Sequence, residues 1–170
     1  EDEALAQIPF VRAIEILKPM LEDPAVLKIG HNIKYDTLVL LKYGIRLSPI
    51  DDTMLMSFVL DGGVHGHGMD ELAELNFGHT NIKFGDVAGT GKKQVTFDYV
   101  SLDKALDYAA EDADMTLRLW REFKPRLIED HMVNLYETVE RPLAPVVADM
   151  ERAGVRVHPV ALKSLSQDFA

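Results

Sequence analysis

The chain has 170 residues, of which 47 % are hydrophobic and 27 % charged, values that let one domain bury a core. It has no cysteine, which excludes disulfides, a thiolate zinc site and a cysteine nucleophile. Its net charge of −10, from 18 Lys and Arg against 28 Asp and Glu, argues against a broadly basic nucleic-acid surface. A local grip remains compatible, in which cations held by carboxylates meet a phosphate.

In chain order, Ala13, Ile14, Leu17, Met20 and Leu21 fall at helical spacing and predict an amphipathic helix over 11–22, stopped before Pro24. Residues 26–30 (VLKIG) predict a short buried strand, and 34–43 a second helix that Gly44 ends. A second strand is expected around Ile50, followed by a helix over 54–60. Residues 61–68 hold four glycines and form a loop, and MDELAELNF at 69–77 predicts a helix closed by Gly78. The stretch from Gly85 to Gly91 is expected to be flexible. Ser101 is a candidate N-cap for a long helix reaching about residue 129, which Pro125 should end or kink. A last helix is expected over about 135–152, bent by Pro142 and Pro145 and closed by Gly154. Helices and strands alternate early, so the fold class is α/β. Two strands make a marginal sheet, and further strands are expected beyond those in this chain. No apolar run reaches the length of a membrane span, and residues 1–20 lack a signal-peptide layout. A cytoplasmic protein with no membrane partner is therefore expected.

Two constellations carry chemistry. The first, His31-Asn32-Ile33-Lys34-Tyr35-Asp36, follows the first strand at its carboxyl end, where α/β proteins place ligands. By itself, Asn32 with Asp36 also reads as a capping pair for the next helix. The second, Tyr108-Ala109-Ala110-Glu111-Asp112, sets a tyrosine hydroxyl and a carboxylate four residues apart on one helical face. Alone it also describes a half-buried tyrosine near a solvated aspartate.

Taken together, an Asn-x-x-Tyr-Asp turn after a strand and a Tyr-x-x-x-Asp helix about seventy residues later resemble the second and third motifs of the DEDD 3′→5′ exonucleases, tyrosine subclass. The segments GHNIKYDTLVLLKYGI, DDTMLMSFVLDG, MDELAE, NIKFGDVAGTGK, TFDYVSLDKALDYAAEDADMTLRLW and ERPLAPVVADMERAGVRVHP are similar, in order and spacing, to the family A bacterial DNA polymerases. This resemblance implies a ribonuclease H-like exonuclease fold with few strands and many helices, and a proofreading role in DNA replication and repair. It implies that Asp112 and Asp36 bind two divalent ions, Mg²⁺ or Mn²⁺, which hard oxygen ligands suit. It implies that Tyr108 orients the attacking water, that His31, Asn32 and Tyr35 contact the last nucleotides, and that Phe84 stacks on terminal bases. From the residues alone, Phe84 reads equally as a core phenylalanine under a loop. The expected partners are a single-stranded or frayed 3′ end of DNA and the rest of a polymerase chain. The expected location is the nucleoid of a bacterial cytoplasm.

In the family, the first motif, Asp-x-Glu, lies on the first strand of the sheet. No such motif in strand context precedes His31, and the only candidate there is Glu1-Asp2-Glu3. The chain is therefore expected to be truncated at its amino end, to bind metal poorly, and to pair through an exposed sheet edge. Residues 1–137 are read as a partial exonuclease domain and 138–170 as the start of a polymerase domain. A ribonuclease D-like RNA nuclease and a non-catalytic spacer domain are the alternatives.

Other signals read as structural. AGTGKK at 88–93 fails the Walker pattern, because Asp86 stands at the first glycine position and Lys93 at the Ser/Thr position. His65 and His67 read as loop residues, Met54, Met56 and Met115 as core filler, and Lys28 and Lys34 as solvated surface lysines.

Overall fold

The computed structural model describes residues 8–169. The elements are α1 (Phe10–Glu22), β1 (Lys28–Gly30), α2 (Ile33–Leu41), β2 (Ile50–Asp52), α3 (Thr53–Asp61), α4 (Met69–Phe77), α5 (Phe84–Ala88) and α6 (Leu102–Glu129). They continue with α7 (Val133–Leu135), a π-helical turn (Tyr136–Glu140), α8 (Arg141–Ala153) and α9 (Pro159–Asp168). Single 3₁₀ turns lie at Gly91–Lys93 and Phe97–Tyr99.

β1 and β2 pair in parallel, with Lys28 opposite Ile50, Ile29 opposite Asp51 and Gly30 opposite Asp52. Parallel pairing needs a crossover, and α2 supplies it. Both strands therefore end at the same edge, where the His31-Asn32 turn meets Asp52-Thr53. The main core lies between α3, α4 and α6: Met56, Leu72, Leu119, Phe123, Leu127 and Tyr136 are all at most 1 % exposed. Burying each such side chain stabilises by about 1.5–3 kcal/mol. A smaller cluster of Ile33, Ile50 and Ala144 seats α8 against α2 and β2.

The predicted helices and strands are found, and α6 reaches Glu129 as expected, running on through Pro125. Two differences stand out. The stretch around Gly85 to Gly91, expected to be flexible, folds into α5 and a 3₁₀ turn, tied by the Val95 amide donating to Ala88 O at 2.9 Å. α9 was not expected; Pro159 starts it and the His158 ring accepts from the Ala161 amide, a cap that polar spacing alone does not announce. The π turn sits immediately before Pro142, where the missing proline N–H already interrupts regular pairing.

Lys28 is a correction. It is 9 % exposed rather than solvated, and its Nζ donates to Asp23 O at 2.8 Å and to Ser48 O. Carbonyl dipoles stabilise the charge and tie β1 to the loops that lead into β1 and β2. Lys34, by contrast, pairs with Glu151 of α8. Glu1-Asp2-Glu3 lies outside the described residues.

Candidate active site

The site begins where the strands end. Gly30 closes β1 with Ile33 folded against it: a Cβ there would lie 2.8 Å from Ile33 Cγ1, so the turn needs glycine. Asn32 then takes the left-handed conformation, φ 59°, and its side chain makes no capping bond to α2. The capping alternative for Asn32 is thereby overturned. The cap comes instead from Asp52 at the end of β2: its carboxylate accepts from the Asn32 amide at 3.0 Å and the Ile33 amide at 2.9 Å. The same carboxylate accepts from Met54 at 2.9 Å and Leu55 at 3.4 Å. One buried acid thus caps α2 and α3 together. Burial raises its pKa while those four N–H bonds oppose the rise.

His31 is committed to this frame. Its Nδ1 lies 2.9 Å from Thr53 Oγ1, and Thr53 in turn donates to Gly30 O at 3.2 Å. Its Nε2 is buried without a hydrogen-bond partner, and burial lowers its pKa, against the pull of Asp52. Tyr35, four residues on, is 66 % exposed.

Asp36 in the first turn of α2 and Asp112 of α6 line one cleft of about 610 Å³, with His31 and Met69 among its walls. The two acids, far apart in sequence, are brought together by the seating of α6 on β1. Burial raises the pKa of both. Asp52 adds to the rise at Asp36, and Glu111 and Asp70 add to it at Asp112, where the Tyr108 hydroxyl opposes it. The phenol of Tyr108 is raised in turn by burial and by Asp112. Tyr108 and Asp112 therefore face each other across one helical turn. The two carboxylates on this cleft are the residues that could hold a cation there, and their hard oxygens suit Mg²⁺ or Mn²⁺. Among the described residues no group of three or more His, Asp or Glu converges on a metal position.

Phe84, at the start of α5, is 40 % exposed, which removes the reading of a core phenylalanine. It stands edge-on to Tyr108, with ring centroids 6.1 Å apart, and Phe97 closes the triangle at 6.3 Å from Phe84 and 5.8 Å from Tyr108. Phe97 was missed in sequence because nothing in its spacing links it to Tyr108. His65 and His67 stay away from the cleft acids: His67 bonds Ser57 Oγ at 2.9 Å and His65 lies 3.8 Å from Asp61.

Beneath the site, Asp51 is fully buried. It accepts from Trp120 Nε1 at 2.8 Å, Tyr136 Oη at 3.0 Å, Lys124 Nζ at 3.1 Å and Arg141 Nη1 at 3.4 Å. The Asp52 amide donates to the same Tyr136 oxygen at 2.9 Å. The strand that carries the Asp52 cap is thus pinned to α6, the π turn and α8.

The chain is 53 % identical over 164 residues to a DNA polymerase I of Rhizobium leguminosarum, and 45 % identical over 148 residues to one of Pseudomonas aeruginosa. These matches cover 96 % and 85 % of this chain but 16 % of each relative, so the chain spans about one sixth of their length. Among solved structures, a nuclease in its apo form superposes with a TM-score of 0.68 at 24 % identity, covering 89 % of this chain and 68 % of that one. The shared fold is the ribonuclease H-like exonuclease fold. The family model described as 3′-5′ exonuclease matches residues 2–128, which include the Asp36 turn and the Tyr108–Asp112 helix, and the chain belongs to that family.

Proposed function

We propose that this chain is the proofreading unit of a DNA polymerase I, removing nucleotides from a single-stranded or frayed 3′ end of DNA by hydrolysis. The observation that carries the reading is the convergence of Asp36 and Asp112 on one cleft, with Tyr108 one turn from Asp112. Asp112 would hold a divalent cation directly and Asp36 a second partly through water, and bound Mg²⁺ or Mn²⁺ would supply charge stabilisation at the scissile phosphate. Tyr108, whose raised pKa keeps its proton in place at neutral pH, would orient the attacking water as a donor–acceptor. Tyr35 and Phe84 present exposed rings for the terminal nucleotides, and Asn32 presents a side chain free of any capping role. His31, wired to Thr53, would act chiefly by holding that turn rigid.

Residues 138–170 are proposed to lead into a polymerase domain. The helical course from Val133 to Ala153 runs through that boundary without a break, which would couple the two mechanically. β1 pairs with β2 on one edge, and its other edge is suited to a further strand, from the same protein or a second copy. Among the described residues no helix is long and apolar enough to cross a membrane.

The test is a time course on a 5′-labelled single-stranded oligonucleotide, using the full-length protein in Mg²⁺ or Mn²⁺. Stepwise shortening from the 3′ end is expected. Shortening from the 5′ end, or activity only on RNA, would reject the proposal.

A further inference from the structure

Glu111 precedes Asp112 on α6, yet its carboxylate is engaged elsewhere. His79 Nε2 lies 2.8 Å from one oxygen, and the Ile82 amide donates to the other at 2.6 Å. The Glu111 side chain is only 16 % exposed, so both contacts are partly shielded from water. Asn81, between its two anchored neighbours, is buried and donates to Asp70 of α4 at 3.2 Å. Residues 79–82 carry no helix or strand; besides these side chains, the His79 amide donates to Ala73 O at 3.3 Å and the Thr80 hydroxyl to Glu74 at 3.2 Å. Two residues beyond Ile82 comes Phe84, in contact with Phe97 and with Tyr108. Tyr108 lies three residues before Glu111 on the same helix, one turn away. α6 therefore supplies both the ring that Phe84 meets and the carboxylate that fixes the backbone leading to it.

We infer that Glu111 is a positioning residue for the terminal base: by pinning residues 79–82 to α6 it holds Phe84 half-exposed beside Tyr108, as one wall of a stacking site. The inference rests on the exonuclease reading, which gives Phe84 a base to meet. Without the Glu111 carboxylate the Ile82 amide has no acceptor, and the end of the segment next to Phe84 loses its tie to α6, leaving the bonds of His79, Thr80 and Asn81 to α4 to hold the rest.

Two readouts test this on the chain as it stands. Hydrogen exchange at the Ile82 amide reads the latch without DNA. Glu111→Ala is expected to speed it roughly ten- to a hundredfold, the range for losing a bond to a charged acceptor. Glu111→Gln, which keeps an acceptor for that amide, is expected to retain most of the protection. The second readout is quenching of a single-stranded oligonucleotide with 2-aminopurine as its 3′-terminal base, in EDTA so that no hydrolysis occurs. Quenching is expected to weaken several-fold in Glu111→Ala and to recover in Glu111→Gln. An Ile82 amide as slow in Glu111→Ala as in the wild type overturns the inference, and so does fast exchange with undiminished quenching. Should Glu111→Ala fail to fold, Glu111→Asp, one methylene shorter, carries the same two expectations. Quenching unchanged in Phe84→Ala would reject the stacking reading itself, through a variant that leaves Glu111 untouched.

Discussion

Replacing Asp52 by alanine removes the acceptor from two helix N-termini at once. The Asp52 carboxylate takes N–H bonds at 3.0, 2.9, 2.9 and 3.4 Å from Asn32, Ile33, Met54 and Leu55. Losing one N-cap costs about 0.5–2 kcal/mol, so losing both caps should cost about 1–4 kcal/mol. For a domain of this size each kcal/mol shifts the melting temperature by about 2–4 °C, which predicts a drop of about 2–16 °C. Burial already penalises the Asp52 charge, so the neutral Asp52→Asn, which keeps one acceptor oxygen, should lose about half as much. Urea and thermal denaturation at neutral pH, followed by far-UV circular dichroism, measure both variants. Asp52→Ala unfolding within about 0.5 kcal/mol of the wild type, the range of ordinary surface changes, would refute the double-cap account.

Further expectations follow from the same frame. Tyr136→Phe removes the hydroxyl that donates to Asp51 and accepts from the Asp52 amide, leaving a buried N–H without a partner. It should cost about 1–3 kcal/mol in chemical denaturation. Asp36 and Asp112 have raised pKa values, first through burial, so their neutral forms contribute stability that is present below the unfolded pKa of about 3.9 and lost as pH rises through the folded value. Asp36→Asn and Asp112→Asn, uncharged throughout, should therefore melt higher than the wild type at pH 7 without metal, by up to about 2 °C. The gain should fade toward pH 4, and a melting temperature lowered at pH 7 would contradict the sign.

The proposed site residues were legible because their spacing is local: Asn32 to Asp36 spans one turn at a strand end, and Tyr108 to Asp112 one helical turn. What brings them together was not legible in periodicity. β1 and β2 are three residues each, and the acid that fixes their junction, Asp52, looks like any polar residue before a helix. Asp51 draws on Trp120, Lys124, Tyr136 and Arg141, partners 69 to 90 residues away. No local pattern reports such contacts, and a lysine such as Lys28 reads as surface until the carbonyls of Asp23 and Ser48 are seen around it. Phe97 and Glu111 stayed hidden for the same reason: their roles depend on how residues 79–99 fold back onto α6.

The account stands on Asp36 and Asp112 acting as one unit on one phosphate, and a double-mutant cycle on exonuclease rate tests it most directly. Rates on a single-stranded 3′ end, with the full-length protein in Mn²⁺, would be compared for Asp36→Asn, Asp112→Asn and the double variant. Each single change is expected to cost about a thousandfold or more, and the double variant no more than the worse single one, because residues of one catalytic unit are not additive. Single losses of only a few-fold, or losses that multiply in the double variant, would show that the two acids do not share a site.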